Sequence, residues 1–270
     1  LSEFGLCKDR LINTKMLRTL RFNIHHDVVH SGYRGDRGHL RFIECGESIA
    51  SINAHLFAQG LSLKTCGSND GQTLVGALST GTHGSTFNFG AIPECVVGLH
   101  VVAGPNRHCY LQRRSAPVVT SAFARHLEAE FIEDDDLFDA ALVSFGCMGI
   151  IRGALIETRP RFILHAVRFR HPVNDALRAA ATTLDLSGID LSRAPLPPGT
   201  PTDRPYHFQV YFNPNEGTPP REATVLMLFE DEWERWADGY QPPVCDDGQP
   251  VPGAAGIDLI GSLYDAMPPF

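Results

Sequence analysis

Apolar and polar residues along the chain fall into helical and strand rhythms that predict an ordered set of elements. Leu11 to Asn13 reads as the end of a short strand, and Leu40 to Glu44, LRFIE, as a second strand running into a turn at Cys45-Gly46. From Glu47 to Gln59, Ile49, Ile52, Leu56 and Phe57 follow helical spacing, and Gly60 stands where a C-cap glycine belongs. Cys95 to Ala103, CVVGLHVVA, is a near-continuous β-type run. The turn signal Gly104-Pro105-Asn106 and the strand-like His108 to Leu111 make it half of a hairpin. Asp135 to Phe145 carries Leu137, Phe138, Ala141 and Leu142 at helical spacing behind the acidic run 133–136, which suits a helix N-terminus. Gly146 to Gly149 then interrupts the helix before a strand from Ile150 to Thr158.

The second half is less regular. Prolines 195, 197, 198, 201 and 205 exclude a regular element from Leu186 to Pro205, which reads as a linker or long loop. Tyr206 to Phe212 alternates as a half-buried strand, Ala223 to Phe229 reads as another, and Gly239 to Gly256 is irregular. No internal repeat is visible. Strands and helices in this order predict an α+β fold.

One segment has neither rhythm. Gly67 to Gly90, GSNDGQTLVGALSTGTHGSTFNFG, sets six glycines among Ser, Thr and Asn around a single histidine, His83. It has little to bury, and glycine lets a ligand come close to the backbone. The pattern predicts a cradle for a large, polar, anionic cofactor.

The 270 residues, 43% hydrophobic and 20% charged, are enough for one large domain or two smaller ones. A formal charge of -8 argues against a nucleic-acid partner. No stretch approaches the roughly 18 consecutive apolar residues of a membrane span. Seven dispersed cysteines, Cys7, Cys45, Cys66, Cys95, Cys109, Cys147 and Cys245, contain no C-x-x-C pair. They predict neither a disulfide framework nor a thiolate metal site, and a reducing, cytoplasmic setting. His25, His26 and His30 with Asp27 lack an independent cluster of ligands, so no metal is expected.

Gly76 to Ser85, GALSTGTHGS, is followed by an apolar β run and then by LFDAALVSFGCMGIIRGALIETRPRF at Leu137 to Phe162. This ordered pair resembles the FAD-binding, p-cresol methylhydroxylase (PCMH)-type domain of the vanillyl-alcohol oxidase flavoprotein superfamily, and its aldonolactone and alditol oxidase branch in particular. The Glu44-Cys45-Gly46 turn and the helix after it also follow that pattern. The resemblance covers about Leu11 to Phe162.

It implies a FAD-binding domain over 1–162 and the start of a substrate, or cap, domain with an antiparallel sheet over 163–270. It places FAD against Gly67, Ser68, Gly76, Ser79, Thr80, Gly81, Thr82, His83 and Gly84, and again against Gly149, Ile150 and Ile151, with His83 orienting the cofactor. The family's pyrophosphate loop precedes the strand matched by 11–14. The chain is therefore expected to begin at the tail of that loop, with Ser2 a phosphate contact, and no Arg-x-Gly-Gly-His attachment segment is present. The implied reaction is hydride transfer from an alcohol, polyol or lactone to the flavin, with O₂ or another acceptor reoxidising it. His207, Gln209 and Tyr211 are candidates to face the substrate, and no catalytic base is identified. Two alternatives stay open: a dehydrogenase of the same fold, and a non-catalytic binding module that keeps the fold without the flavin.

Overall fold

The computed structural model describes residues 12–67, 69–192, 194, 196–213, 215 and 221–239. The chain divides into two compact units. Among the described residues, one comprises those within 12–84 and 91–160, and the other those within 85–90 and 161–239. The glycine-rich segment thus belongs to the first unit as far as Gly84 and to the second beyond it. Both units combine helices with largely antiparallel sheet, an α+β architecture. No helix among the described residues is long and apolar enough to cross a membrane.

In the first unit, strands β1 (Arg21–Asn23), β2 (Leu40–Glu44), β4 (Val96–Gly104), β5 (Arg107–Gln112), β6 (Glu130–Glu133) and β7 (Ile150–Glu157) form one sheet. Its order is β1-β2-β7-β4-β5-β6, and every pair is antiparallel except β5 with β6. The short strands β3 (Leu61–Ser62) and β8 (Arg159–Pro160) pair separately. Helices α1 (Ile49–Ala58), α2 (Leu74–Ser79) and α4 (Asp135–Leu142) contribute Ile49, Ile52, Leu56, Leu74, Leu78 and Phe138 to one buried cluster with Ile43, Leu99 and Ile151. A second cluster gathers Phe42, Tyr110 and Leu155 with Phe123 of α3 (Ser121–His126).

Several expected elements are present at slightly different bounds. Helix α1 starts after Ser48, whose side chain accepts the Ser51 N–H at 3.1 Å, and it ends before Gly60, at φ +75°. Ile49, Ile52 and Leu56 face the core as expected, but Phe57 lies off that stripe and is exposed. Helix α4 begins at its Asp134 cap, whose carboxylate accepts the Leu137 N–H at 2.9 Å, and it stops at Leu142 rather than at Phe145. The expected strand end at 11–13 is absent from the described residues Ile12 and Asn13; Asn13 caps a single 3₁₀ turn, Thr14–Met16. The true edge strand is β1, exposed along its length.

The second unit has a three-stranded antiparallel sheet of order β10-β11-β9, with β9 at Phe162–Pro172, β10 at His207–Phe212 and β11 at Glu222–Glu232. Helix α5 (Asp175–Thr183) packs Leu177 and Ala180 against Val167, Val225, Met227 and Phe229. The described residues of the proline-rich stretch 186–205 form no regular element, but they are not a linker. Leu186, Ile189, Leu191 and Leu196 pack onto this unit's own core. Asp231 holds the end of the sheet, accepting from Trp236 Nε1 at 2.9 Å, Arg235 at 2.7 Å and the Glu232 N–H at 2.8 Å.

Two buried polar side chains of the first unit carry testable consequences. Gln112 is fully buried; its Oε1 accepts the Val118 and Val119 N–H groups, and its Nε2 donates to Val119 O and Glu133 Oε1, both at 2.9 Å. Gln112→Leu leaves two backbone donors and a carboxylate without a partner. It should cost about 2–4 kcal/mol in urea unfolding. His100 is 1% exposed beside His108, ring centroids 5.8 Å apart, and burial, Arg152 and His108 lower its pKa to about 4. The fold therefore favours the neutral ring: this contribution to stability is complete above about pH 6.5 and is lost as pH falls through about 4. Over that window the unfolding free energy of His100→Leu should fall less steeply than that of the parent protein.

Candidate functional site

The two sequence signatures meet at the C-terminal end of α2. Thr73 caps this helix, its hydroxyl oxygen accepting the Gly76 N–H at 3.2 Å, and Leu74, Ala77 and Leu78 sink into the core. The chain leaves the helix at Gly81, φ +66°, where the Gly81 N–H donates to Leu78 O at 3.1 Å and the Thr82 N–H to Ala77 O at 2.9 Å. Against this exit lies the turn that follows α4: the Phe145 N–H donates to Ser79 O at 3.1 Å. A Cβ placed on Gly81 would sit 3.5 Å from Val143 Cγ1, so the two segments touch there as well.

The turn is built from unusual backbone. Phe145 (φ +51°), Gly146 (φ +82°) and Gly149 (φ +112°) all lie in the left-handed region. At Gly149 a Cβ would fall 2.6 Å from Val102 O on β4, so only glycine fits where β7 enters the sheet. Behind the loop, Gly67 and Gly84 are constrained by close packing. A Cβ at Gly67 would meet Thr82 Cγ2 at 2.9 Å, and one at Gly84 would meet Cys66 O at 2.5 Å.

The structure brings together Gly67, Gly76, Ser79, Thr80, Gly81, Thr82, His83 and Gly84, and sets the turn leading to Gly149, Ile150 and Ile151 against them. Ser2 and Ser68 lie outside the described residues. Two refinements follow for the roles expected of these positions. The N–H groups of Gly76, Gly81 and Thr82 are already bonded within the chain, so a ligand meets other groups at these residues. Ile151 is 3% exposed and belongs to the core, which leaves its backbone and half-buried Ile150 to reach outward. His83 is exposed, one ring nitrogen 2.8 Å from Gly84 O, and Thr82 donates its hydroxyl to Gln72 Oε1 at 3.1 Å.

Sequence reasoning passed over three features of this region: two hydroxyls and an apolar rim. Thr65 Oγ1 and Ser144 Oγ are buried without a hydrogen-bond partner among the described residues. Thr65 Oγ1 lies 3.1 Å from the Cβ position of Gly84, and Ser144 directly precedes Phe145. Val143, Phe145 and Met148 are 41%, 50% and 36% exposed, an apolar rim on the turn. The polar positions offered no period to reveal them; of the apolar residues, Val143 and Phe145 fell inside the expected helix and Met148 in the break after it, so no rim was visible. Cys66 is an inert thiol here: burial raises its pKa above the ordinary range, and Asn53 lies 3.8 Å from its sulfur.

A cradle with unfilled hydroxyls, a glycine-rich loop and an apolar rim fits a large flat ligand that has a polar edge and an apolar face, as the ring of FAD has. Lys64, the nearest cation upstream, is committed to Glu157, so anion binding here rests on neutral dipoles. In the second unit, His207, Gln209 and Tyr211 share the sheet face opposite the α5 core, His207 Nε2 lying 3.2 Å from Gln209 Oε1 and Nδ1 3.2 Å from Ser85 O.

No family model matches the chain. Among curated proteins, D-arabinono-1,4-lactone oxidase of Yarrowia lipolytica is 30% identical over 126 residues, 47% of this chain and 20% of that protein. The D-arabinono-1,4-lactone oxidases of Saccharomyces cerevisiae and Candida glabrata are 32% and 31% identical over 120 residues, 44% of this chain and 19% of each. The chain spans about a fifth of the length of these relatives.

The turn geometry makes a direct prediction. Gly149→Ala places a methyl group against Val102 O in a strained backbone conformation, which should destabilise the first unit by roughly 1–3 kcal/mol. Gly146→Ala, at a position with open space, should cost less. Thermal unfolding of the two variants tests the ranking, and equal midpoints would refute it.

Proposed function

We propose that the first unit is the FAD-holding part of an oxidase that acts on a sugar-lactone type of substrate, and that the second unit begins its substrate domain. The observation that carries this reading is the bond from the Phe145 N–H to Ser79 O, which joins the two flavin-type signatures into one surface. Support also comes from relatives that are D-arabinono-1,4-lactone oxidases. A lactone is favoured over a free alcohol or polyol on that ground, and O₂ over another electron acceptor.

When bound, FAD supplies the hydride acceptor for a substrate C–H. The chain's own residues hold and orient. The hydroxyls of Thr65 and Ser144 would donate to polar groups of the cofactor, and Thr80, His83 and the backbone of Gly149 and Ile150 would help to hold and orient it. Val143, Phe145 and Met148 would cover apolar ring surface and keep water from it. His207, Gln209 and Tyr211 are the polar groups that the second unit offers to a hydroxyl-rich substrate.

The purified protein titrated with FAD should acquire flavin absorbance and quench flavin fluorescence saturably. Gly81→Trp, which fills the loop exit with a large side chain at a left-handed φ, should abolish retention while the variant still unfolds cooperatively, at a lower midpoint. A protein that stays colourless with added FAD refutes the reading, and full retention by Gly81→Trp refutes the placement of the cradle. Anaerobic reduction followed by air separates the acceptors, slow reoxidation counting against an oxidase.

A further inference from the structure

A second concave site lies in the first unit at the other end of β7. Ile150 opens that strand beside the cradle and Glu157 closes it, roughly 23 Å away at 3.3 Å per residue. Around Glu157 is a cavity of about 450 Å³, walled by Gly32 to Gly35, by Ser115 to Val118, and by Val97 and Arg113. None of these residues belongs to the cradle or its turn.

Its walls are tied together. The His30 N–H donates to Val118 O at 2.9 Å, the Tyr33 N–H donates to His30 O at 3.1 Å, and the Tyr33 hydroxyl crosses the cavity floor to Glu157 Oε1 at 2.5 Å. Lys64 takes the other Glu157 oxygen. Burial alone would raise the Glu157 carboxyl, but the bonds from Lys64 and Tyr33 outweigh it and hold its pKa low, so the floor carries a neutralised ion pair. Arg113 is similarly engaged, donating Nε and one terminal nitrogen to Asp139 at 3.0 and 2.5 Å with its guanidinium 4.5 Å over the Phe138 ring. Asp36, beyond the wall, turns to the Gly38 N–H at 2.7 Å and the His39 ring at 3.5 Å.

Arg34 differs from all of these. It lines the cavity, is exposed, and has no hydrogen-bond or ion-pair partner among the described residues. With the Lys64–Glu157 and Arg113–Asp139 pairs cancelling, the charge left at the cavity by its lining residues is positive. Val97, Ala116, Pro117, Val118 and the Tyr33 ring supply apolar wall next to it.

We propose that this cavity binds a small organic anion, a carboxylate or phosphate ester with an apolar body, its charged end held by Arg34 with the open edge of Arg113 and its body laid on Val97, Pro117 and Val118. The volume falls within the range of small-ligand sites. A guanidinium with planar donors matches either anion. The site is independent of the flavin reading, because it shares no residue with the cradle.

Amide chemical shifts of the full chain test this with four probes: phenyl phosphate, benzoate, benzyl alcohol and FAD. Phenyl phosphate or benzoate should shift the amides of residues 32–35, 97, 115, 116 and 118 saturably, with benzyl alcohol at least about tenfold weaker. The stronger anion identifies the head group. Arg34→Met, an exposed change that should leave other amides in place, should weaken the anions about tenfold and leave benzyl alcohol unchanged. Three outcomes overturn the proposal: no saturable shift at these amides, equal binding of benzyl alcohol, or undiminished anion binding by Arg34→Met. A fourth is FAD shifting these amides instead of those of residues 79–84, which would make the cavity part of the cofactor site.

Discussion

The organisation of the first unit depends on how β7 is held. It lies between β2 and β4 and runs antiparallel to both, so its backbone is bonded along both edges and its start is fixed in space. Gly153 allows that close fit, since a Cβ there would fall 2.4 Å from Phe42 Cζ. With β7 anchored, the chain arriving from α4 has to turn over a few residues into the strand, and the left-handed sequence Phe145, Gly146, Gly149 makes that turn. The turn is thereby delivered to the end of α2, where the Phe145 N–H finds Ser79 O. Removing the sheet constraint would leave two glycine-rich segments with no reason to meet.

Buried polar groups in this protein mostly serve as ties between loops and sheet. Glu44, 3% exposed, accepts the Thr19 and Leu20 N–H groups at 2.8 and 3.1 Å and so holds the segment before β1. Gln112 does the same for the crossing between β5 and α3, and Asp231 for the end of β11 in the second unit. Each satisfies several backbone or side-chain donors at once, which is what makes a buried carboxylate or amide tolerable. Thr65 and Ser144 break this habit. Glu47 Oε2, His100 Nε2, His108 Nδ1 and the Tyr110 hydroxyl are also buried without a hydrogen-bond partner among the described residues, whereas Thr65 and Ser144 adjoin the glycine-rich loop and the turn set against it.

Much of the first unit was legible because its elements repeat a clean period. LRFIE is buried at every position, and α1 and the hairpin β4–β5 sit within a residue or two of their expected bounds. Strand β9 was not legible, since its pattern runs against the usual rule. His165 and His171 point to the α5 side, while Leu164 and Ala166 point away, so hydrophobicity and burial do not track one another. Helix α2 was hidden inside the glycine-rich segment, where only Leu74, Ala77 and Leu78 carry the apolar face. For the site, glycines and hydroxyls were visible as composition, but the use of Gly67, Gly84 and Gly149 was not: each is glycine because another backbone or side chain occupies the space of its Cβ. Sequence alone assigned that freedom to a ligand.

The two ends of β7 differ in their chemistry for a physical reason. At the start, the cradle has no committed cation and an apolar rim, so it selects by shape and by neutral donors, which suits a ligand held over a broad surface. At the other end, Glu157, Lys64, Tyr33 and Arg113 form a mesh of paired charges from which Arg34 projects alone. Paired charges inside a protein are costly to separate, because each partner would then be left desolvated. A central strand bonded on both sides transmits little movement over its length, since shifting it would break ladder bonds to β2 and β4 together. On the proposed readings, the cradle would hold its ligand by surface complementarity and the cavity at the far end by Arg34 together with the open edge of Arg113.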